Sequence, residues 1–129
     1  TSFDYRPYGT ELALCQRYCV LYAQATASTQ ELIGAGAAWA SNNYWCAIRL
    51  PVPMRSTPTL SVTTGTNYYS FQSGGVTAYS TTLTDPGYYG SANLGQMVYQ
   101  TGLSGLTSGW GLICSAYTNG AKVLYSAEL

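Results

Sequence analysis

The chain has 129 residues, with five Lys or Arg against five Asp or Glu, no histidine and only 8% charged residues. A net charge of zero offers no basic surface to neutralise a phosphate backbone and no electrostatic hold on anionic lipid, which argues against nucleic acid and membrane as partners. Without histidine, the commonest general base and metal ligand is missing, and acid–base chemistry would have to run on Asp4, Glu11, Glu31, Asp85 and Glu128.

With 47% apolar residues and thirteen tyrosines, the composition is that of a folding chain rather than a disordered one. So few charges imply a surface of Ser, Thr, Asn, Gln, Gly and Tyr, which is expected to be partly covered by identical neighbours. Cys15, Cys19, Cys46 and Cys114 show neither a disulfide framework nor a second metal-binding pair. They are expected as free thiols, Cys46 and Cys114 serving as small core hydrophobes within apolar runs. No apolar run reaches the roughly 20 residues of a membrane span, and no charged-then-apolar leader opens the chain. The start at Thr1 without a methionine reads as that of a processed or partial piece, with its natural end at Ala127-Glu128-Leu129.

Residues 1–9 read as a lead-in from an upstream domain. Thr10 is placed to cap a short helix over 10–17, with Glu11 near the positive end of its dipole and Leu12, Cys15 and Cys19 on one face. A strand follows at 18–23, and then β-type runs at 32–40, 45–50, 59–63, 68–72, 75–79, 96–100, 111–117 and 122–127. Turn chemistry separates them, and Thr118-Asn119-Gly120 is the strongest hairpin signal. Pro51, Pro53 and Pro58 cannot sit in a central ladder, so 51–58 is expected as an edge or crossover. The turn-rich stretch 81–95, carrying Tyr88 and Tyr89, is expected to be a functional loop. Together these elements predict a mainly β fold, an antiparallel β-sandwich or jelly roll with one short N-terminal helix, as a single domain over 10–129.

Two segments, Arg6-Pro7-Tyr8-Gly9-Thr10-Glu11-Leu12-Ala13-Leu14-Cys15-Gln16-Arg17-Tyr18 and Leu50-Pro51-Val52-Pro53-Met54-Arg55-Ser56-Thr57-Pro58-Thr59, with the ending Ser126-Ala127-Glu128-Leu129, resemble the C-terminal domain of tailed-bacteriophage tail-fibre, tailspike and minor structural proteins. Cys19-Val20-Leu21 departs from that pattern, where relatives are more polar. The resemblance implies a virion module at the distal end of a trimeric fibre, following upstream fibre domains and facing the host surface. It implies no reaction and no cofactor.

Arg6, Glu11, Gln16, Arg17 and Arg55 are the polar residues of these motifs. They are expected to pin the short helix onto the 50–59 crossover or to tie copies together, in preference to forming a ligand-binding set. Tyr68, Tyr69, Tyr88, Tyr89, Asn93 and Trp110 are candidate glycan- or receptor-binding residues, because tyrosine offers a flat apolar ring for a sugar face and a hydroxyl for its edge. The expected function is non-enzymatic recognition of a host polysaccharide or other receptor by a homotrimer, with several weak sites acting together. One alternative is a purely structural trimerisation, capping or capsid-decoration module. Another is a glycan-cleaving domain, for which no motif pairs two carboxyls.

Overall fold

The computed structural model describes residues 7–86 and 95–127. In chain order the elements are α1 (Tyr8–Gln16), β1 (Cys19–Gln24), β2 (Glu31–Ala40), β3 (Asn43–Arg49), β4 (Thr59–Val62), β5 (Tyr69–Ser73), β6 (Val76–Ser80), β7 (Gly95–Gln100), β8 (Gly111–Ala116) and β9 (Lys122–Ser126). The strands form a small sheet of order β1-β9-β4 and a large one of order β6-β5-β8-β2-β3-β7. Every named strand pairing is antiparallel, and the fold is the β-sandwich expected from the sequence.

Alternating side chains build the core between the sheets. On β3, Tyr44, Cys46 and Ile48 are buried while Ala47 and Arg49 are exposed. Tyr69 and Phe71 on β5, Leu112 and Cys114 on β8, and Val123 and Tyr125 on β9 complete the same apolar cluster. Full burial of an aromatic such as Phe71 contributes roughly 1.5–3 kcal/mol. Its ring lies 4.6 Å from that of Tyr44. Gly34 and Gly36 alternate with Ala35 and Ala37 on β2 for a steric reason. A Cβ at Gly34 would fall 2.7 Å from the Cys46 sulfur, and one at Gly36 would meet the Trp45 carbonyl oxygen at 1.8 Å.

The connections correct some local expectations. Helix α1 starts after Pro7, whose carbonyl oxygen accepts from the backbone N–H groups of Thr10 and Glu11, so Thr10 lies inside the helix and does not cap it. Tyr8 and Gly9, expected in the lead-in, belong to α1, whereas Cys19 lies beyond it at the start of β1. The 118–120 turn is not a hairpin, since β8 pairs with β2 and β5 while β9 pairs with β1 and β4. It carries the chain from one sheet to the other, fixed by Gly120 at φ +94° and by the Thr118 hydroxyl donating to the Asn67 carbonyl. A two-residue hairpin does occur at Gly74 and Gly75, both at positive φ, as a tight turn between β5 and β6 requires. The proline-rich 51–58 segment is a crossover from the large sheet to the small one. All four cysteines are free, Cys46 and Cys114 buried and Cys15 and Cys19 exposed.

Candidate ligand-binding site

Aromatic side chains gather on the outer face of the large sheet, where β2, β3 and β7 run side by side. Trp45 pairs across the ladder with Ala37 on β2 and Tyr99 on β7, so Trp45 and Tyr99 project from one face. Ala38 pairs with Tyr44 and Ala40 with Asn43, which leaves Trp39 as the extra residue of a bulge. Such an insertion bends the strand and re-aims the inserted side chain. Trp39 is 75% exposed as a result, flanked by alanines that do nothing to cover it.

The Trp39 and Trp45 ring centroids are 6.2 Å apart with planes at 54°, and Trp45 stacks on Tyr99 at 5.4 Å and 28°. Stacking on Tyr99 fixes Trp45, a contact worth about 0.5–1.5 kcal/mol beyond area burial. A cavity of about 380 Å³ opens beside the indole pair, lined by Ala37, Ala38, Trp39, Trp45, Ser108 and Gly109. The 101–110 segment forms its rim and is tied to β2 by three bonds. Gly109 N–H donates to the Ala38 carbonyl at 2.8 Å, Ala38 N–H to the Trp110 carbonyl at 2.9 Å, and the Ser108 hydroxyl to the Trp39 carbonyl at 3.0 Å. None of the lining residues is charged. Two indoles, a hydroxyl with spare acceptor capacity and a floor of small residues suit a ligand with an apolar ring face and neutral hydroxyl edges.

Among the described residues, those expected from sequence to bind glycan, Tyr68, Tyr69 and Trp110, do not converge. Tyr69 is a correction: it is fully buried, and its hydroxyl lies 2.7 Å from the Thr63 carbonyl oxygen and 2.9 Å from that of Lys122, joining the large sheet to β9 and the end of β4. Tyr68 is half-buried, its ring under the Gly65 backbone and its hydroxyl beside Gly120. Trp110 lies against Gly74, at the far end of β5 from Tyr68, with 39% of its surface exposed. Tyr88, Tyr89 and Asn93 lie outside the described residues, as does Arg6. Sequence reasoning missed Trp39, Trp45 and Tyr99. The alternation that buries Tyr44, Cys46 and Ile48 already turns Trp45 outward, whereas nothing in the local pattern announces the bulge at Trp39.

A second depression, of about 740 Å³, separates α1 from the 52–55 crossover and is lined by Arg17 and Arg55 among others. Arg55 N–H donates to the Arg17 carbonyl at 2.9 Å, and the Arg55 guanidinium sits 5.4 Å above the Tyr18 ring. The motif residues Arg17 and Arg55 thus do meet across the helix–crossover junction, through backbone and ring contacts. Glu11 lies in the first turn of α1, and Gln16 ends it.

Among the described residues no group of three or more His, Cys, Asp or Glu could hold a metal ion. No helix among them is long and apolar enough to cross a membrane. Comparison of the chain with protein-family models, with curated proteins and with solved structures finds no match.

Proposed function

We propose that the chain is a non-enzymatic recognition module that binds a neutral glycan of a host surface, at the C-terminal end of a phage tail-fibre-like protein. The observation that carries this reading is the exposed Trp39 indole, paired with Trp45 in the wall of an uncharged cavity of about 380 Å³. An indole face packs against the C–H face of a pyranose, and the Ser108 hydroxyl, which donates to the Trp39 carbonyl, keeps acceptor capacity for an edge hydroxyl. The uncharged lining favours neutral sugars over uronic or sialic acids, whose carboxylate would enter without a partner. Resemblance of the 6–18 and 50–59 segments to tail-fibre C-terminal domains supports the virion setting. Each site is weak by itself, and several copies on one particle raise the effective concentration.

The test is depletion of the chain from solution by host cells or by their isolated neutral polysaccharide, with polymer size followed in the same tubes. The proposal expects depletion by wild type, none by Trp39→Ala, and no fall in polymer size. Equal depletion by both proteins contradicts the site, and a fall in polymer size contradicts the non-enzymatic reading.

A further inference from the structure

The groove of about 740 Å³ between α1 and the 52–55 segment takes no part in the glycan reading, and its volume falls in the range of small-molecule sites. Its length follows from the helix. Thr10 and Arg17 both line it, and at about 1.5 Å per residue they stand about 10 Å apart along the axis. Between them the walls are aliphatic, with Ala13 and Leu14 on the helix side and Val52, Pro53 and Met54 on the crossover side. None of the lining residues is aromatic and none is acidic. The crossover wall keeps its shape without a ligand, because Met54 is buried in the core and Pro51 and Pro53 fix the backbone on either side of Val52.

The charges gather at one end. Arg17 closes α1, and the Arg55 backbone N–H donates to the Arg17 carbonyl at 2.9 Å, which brings both arginines to the C-terminal end of the helix. The Tyr18 ring, 5.4 Å from the Arg55 guanidinium, steadies that side chain. These contacts employ a backbone N–H and a positive charge, and they leave the guanidinium donors for an oxyanion. In a chain with five Lys and Arg residues and no net charge, two of the cations thus meet at one groove whose lining holds no acid to offset them.

We propose that this groove binds a small organic anion, an aliphatic chain about 10 Å long that ends in a carboxylate or phosphate group. The anionic group lies at Arg17 and Arg55, and the chain runs along Ala13, Leu14, Val52 and Pro53 towards Thr10. A guanidinium fork matches paired oxygens of either group, and the chain removes the aliphatic walls from water. A sugar ring suits this groove poorly, since no aromatic face lines it. The site is separate from the Trp39 cavity and stands without the glycan reading.

The test is a titration of the isotope-labelled 129-residue chain with octanoate and with octyl phosphate, against acetate and 1-octanol, followed by two-dimensional NMR. Octanoate, octyl phosphate or both are expected to shift the signals of Ala13, Leu14, Arg17, Val52 and Arg55 and to saturate with Kd at or below about 1 mM. The tighter of the two names the anionic group. Acetate lacks the chain and 1-octanol lacks the charge, so each is expected to bind at least about tenfold more weakly. Arg17→Gln and Arg55→Gln are each expected to weaken the tighter ligand by about tenfold with an unchanged circular dichroism spectrum, since both side chains are exposed. Trp39→Ala is expected to bind it as wild type does. The ligand comparison on wild type does not depend on any variant folding. Absence of saturable binding by both anions, shifts centred elsewhere on the molecule, 1-octanol binding as tightly as octanoate, or full affinity in either folded arginine variant overturns the proposal.

Discussion

The Trp39 and Trp45 rings stand 6.2 Å apart on adjacent strands because one inserted residue breaks the β2–β3 register between Ala38 and Ala40. That geometry separates binding from stability. Trp39→Ala removes an exposed ring and should change unfolding free energy by no more than about 0.5 kcal/mol. Trp45→Ala removes a half-buried ring stacked on Tyr99 and should cost about 2 kcal/mol. Urea titrations of the two variants check this, and a large loss for Trp39→Ala would show that its indole is part of the core.

Tyr69 joins the two sheets through its hydroxyl, which meets the Thr63 and Lys122 carbonyls. Tyr69→Phe leaves both carbonyls without this donor and should cost about 1–3 kcal/mol, seen as a lower Tm. Ligand binding at the Trp39 cavity should be unchanged, and a binding defect in a fully folded Tyr69→Phe protein would return Tyr69 to the site.

Much of the fold was legible in the sequence, because runs rich in Val, Ile, Tyr and Thr bounded by Gly, Asn and Pro mark strands by local chemistry alone. Pro51, Pro53 and Pro58 likewise placed the crossover, since proline cannot donate to a ladder. What failed depends on partners distant in the chain. Asn119-Gly120 carries the chemistry of a hairpin turn, yet the strands on either side belong to different sheets. Tyr68-Tyr69 looks like a paired aromatic surface, but alternation sends Tyr69 into the core. Trp39 is invisible as a site until pairing with β3 exposes the bulge.

Burial raises Tyr44, Tyr125, Cys46 and Cys114 above the ordinary values of 10.0 for tyrosine and 9.0 for cysteine, and for Tyr44 the neighbouring Cys114 and Cys46 add to the effect. The unfolded chain therefore loses protons at high pH that the folded chain keeps. Stability from these groups is intact below about pH 8 and falls as pH rises from about 9, by about 1.4 kcal/mol per pH unit for each group ionised only in the unfolded chain. Urea midpoints measured from pH 7 to 11 should show a plateau and then a steep decline, and a flat profile would mean that these side chains are not held neutral.

The hydroxyls of Ser70 and Ser115 are 3.1 Å apart in a buried cross-strand pair between β5 and β8. Either serine replaced by alanine leaves the other hydroxyl unpaired, at about 1–3 kcal/mol, whereas Ser70→Ala with Ser115→Ala removes both groups and should cost less than the sum of the singles. A thermodynamic cycle on the three variants checks the coupling, and additive costs would mean that the two hydroxyls do not interact.

The most direct test of the recognition reading is a titration of the purified chain with neutral host-surface oligosaccharide, followed by tryptophan fluorescence and calorimetry side by side. The expected result is saturable heat with a fluorescence change in wild type, both lost in Trp39→Ala at unchanged Tm. Saturable binding of equal strength in Trp39→Ala, or no binding by wild type across the neutral glycans of a susceptible host, would contradict it.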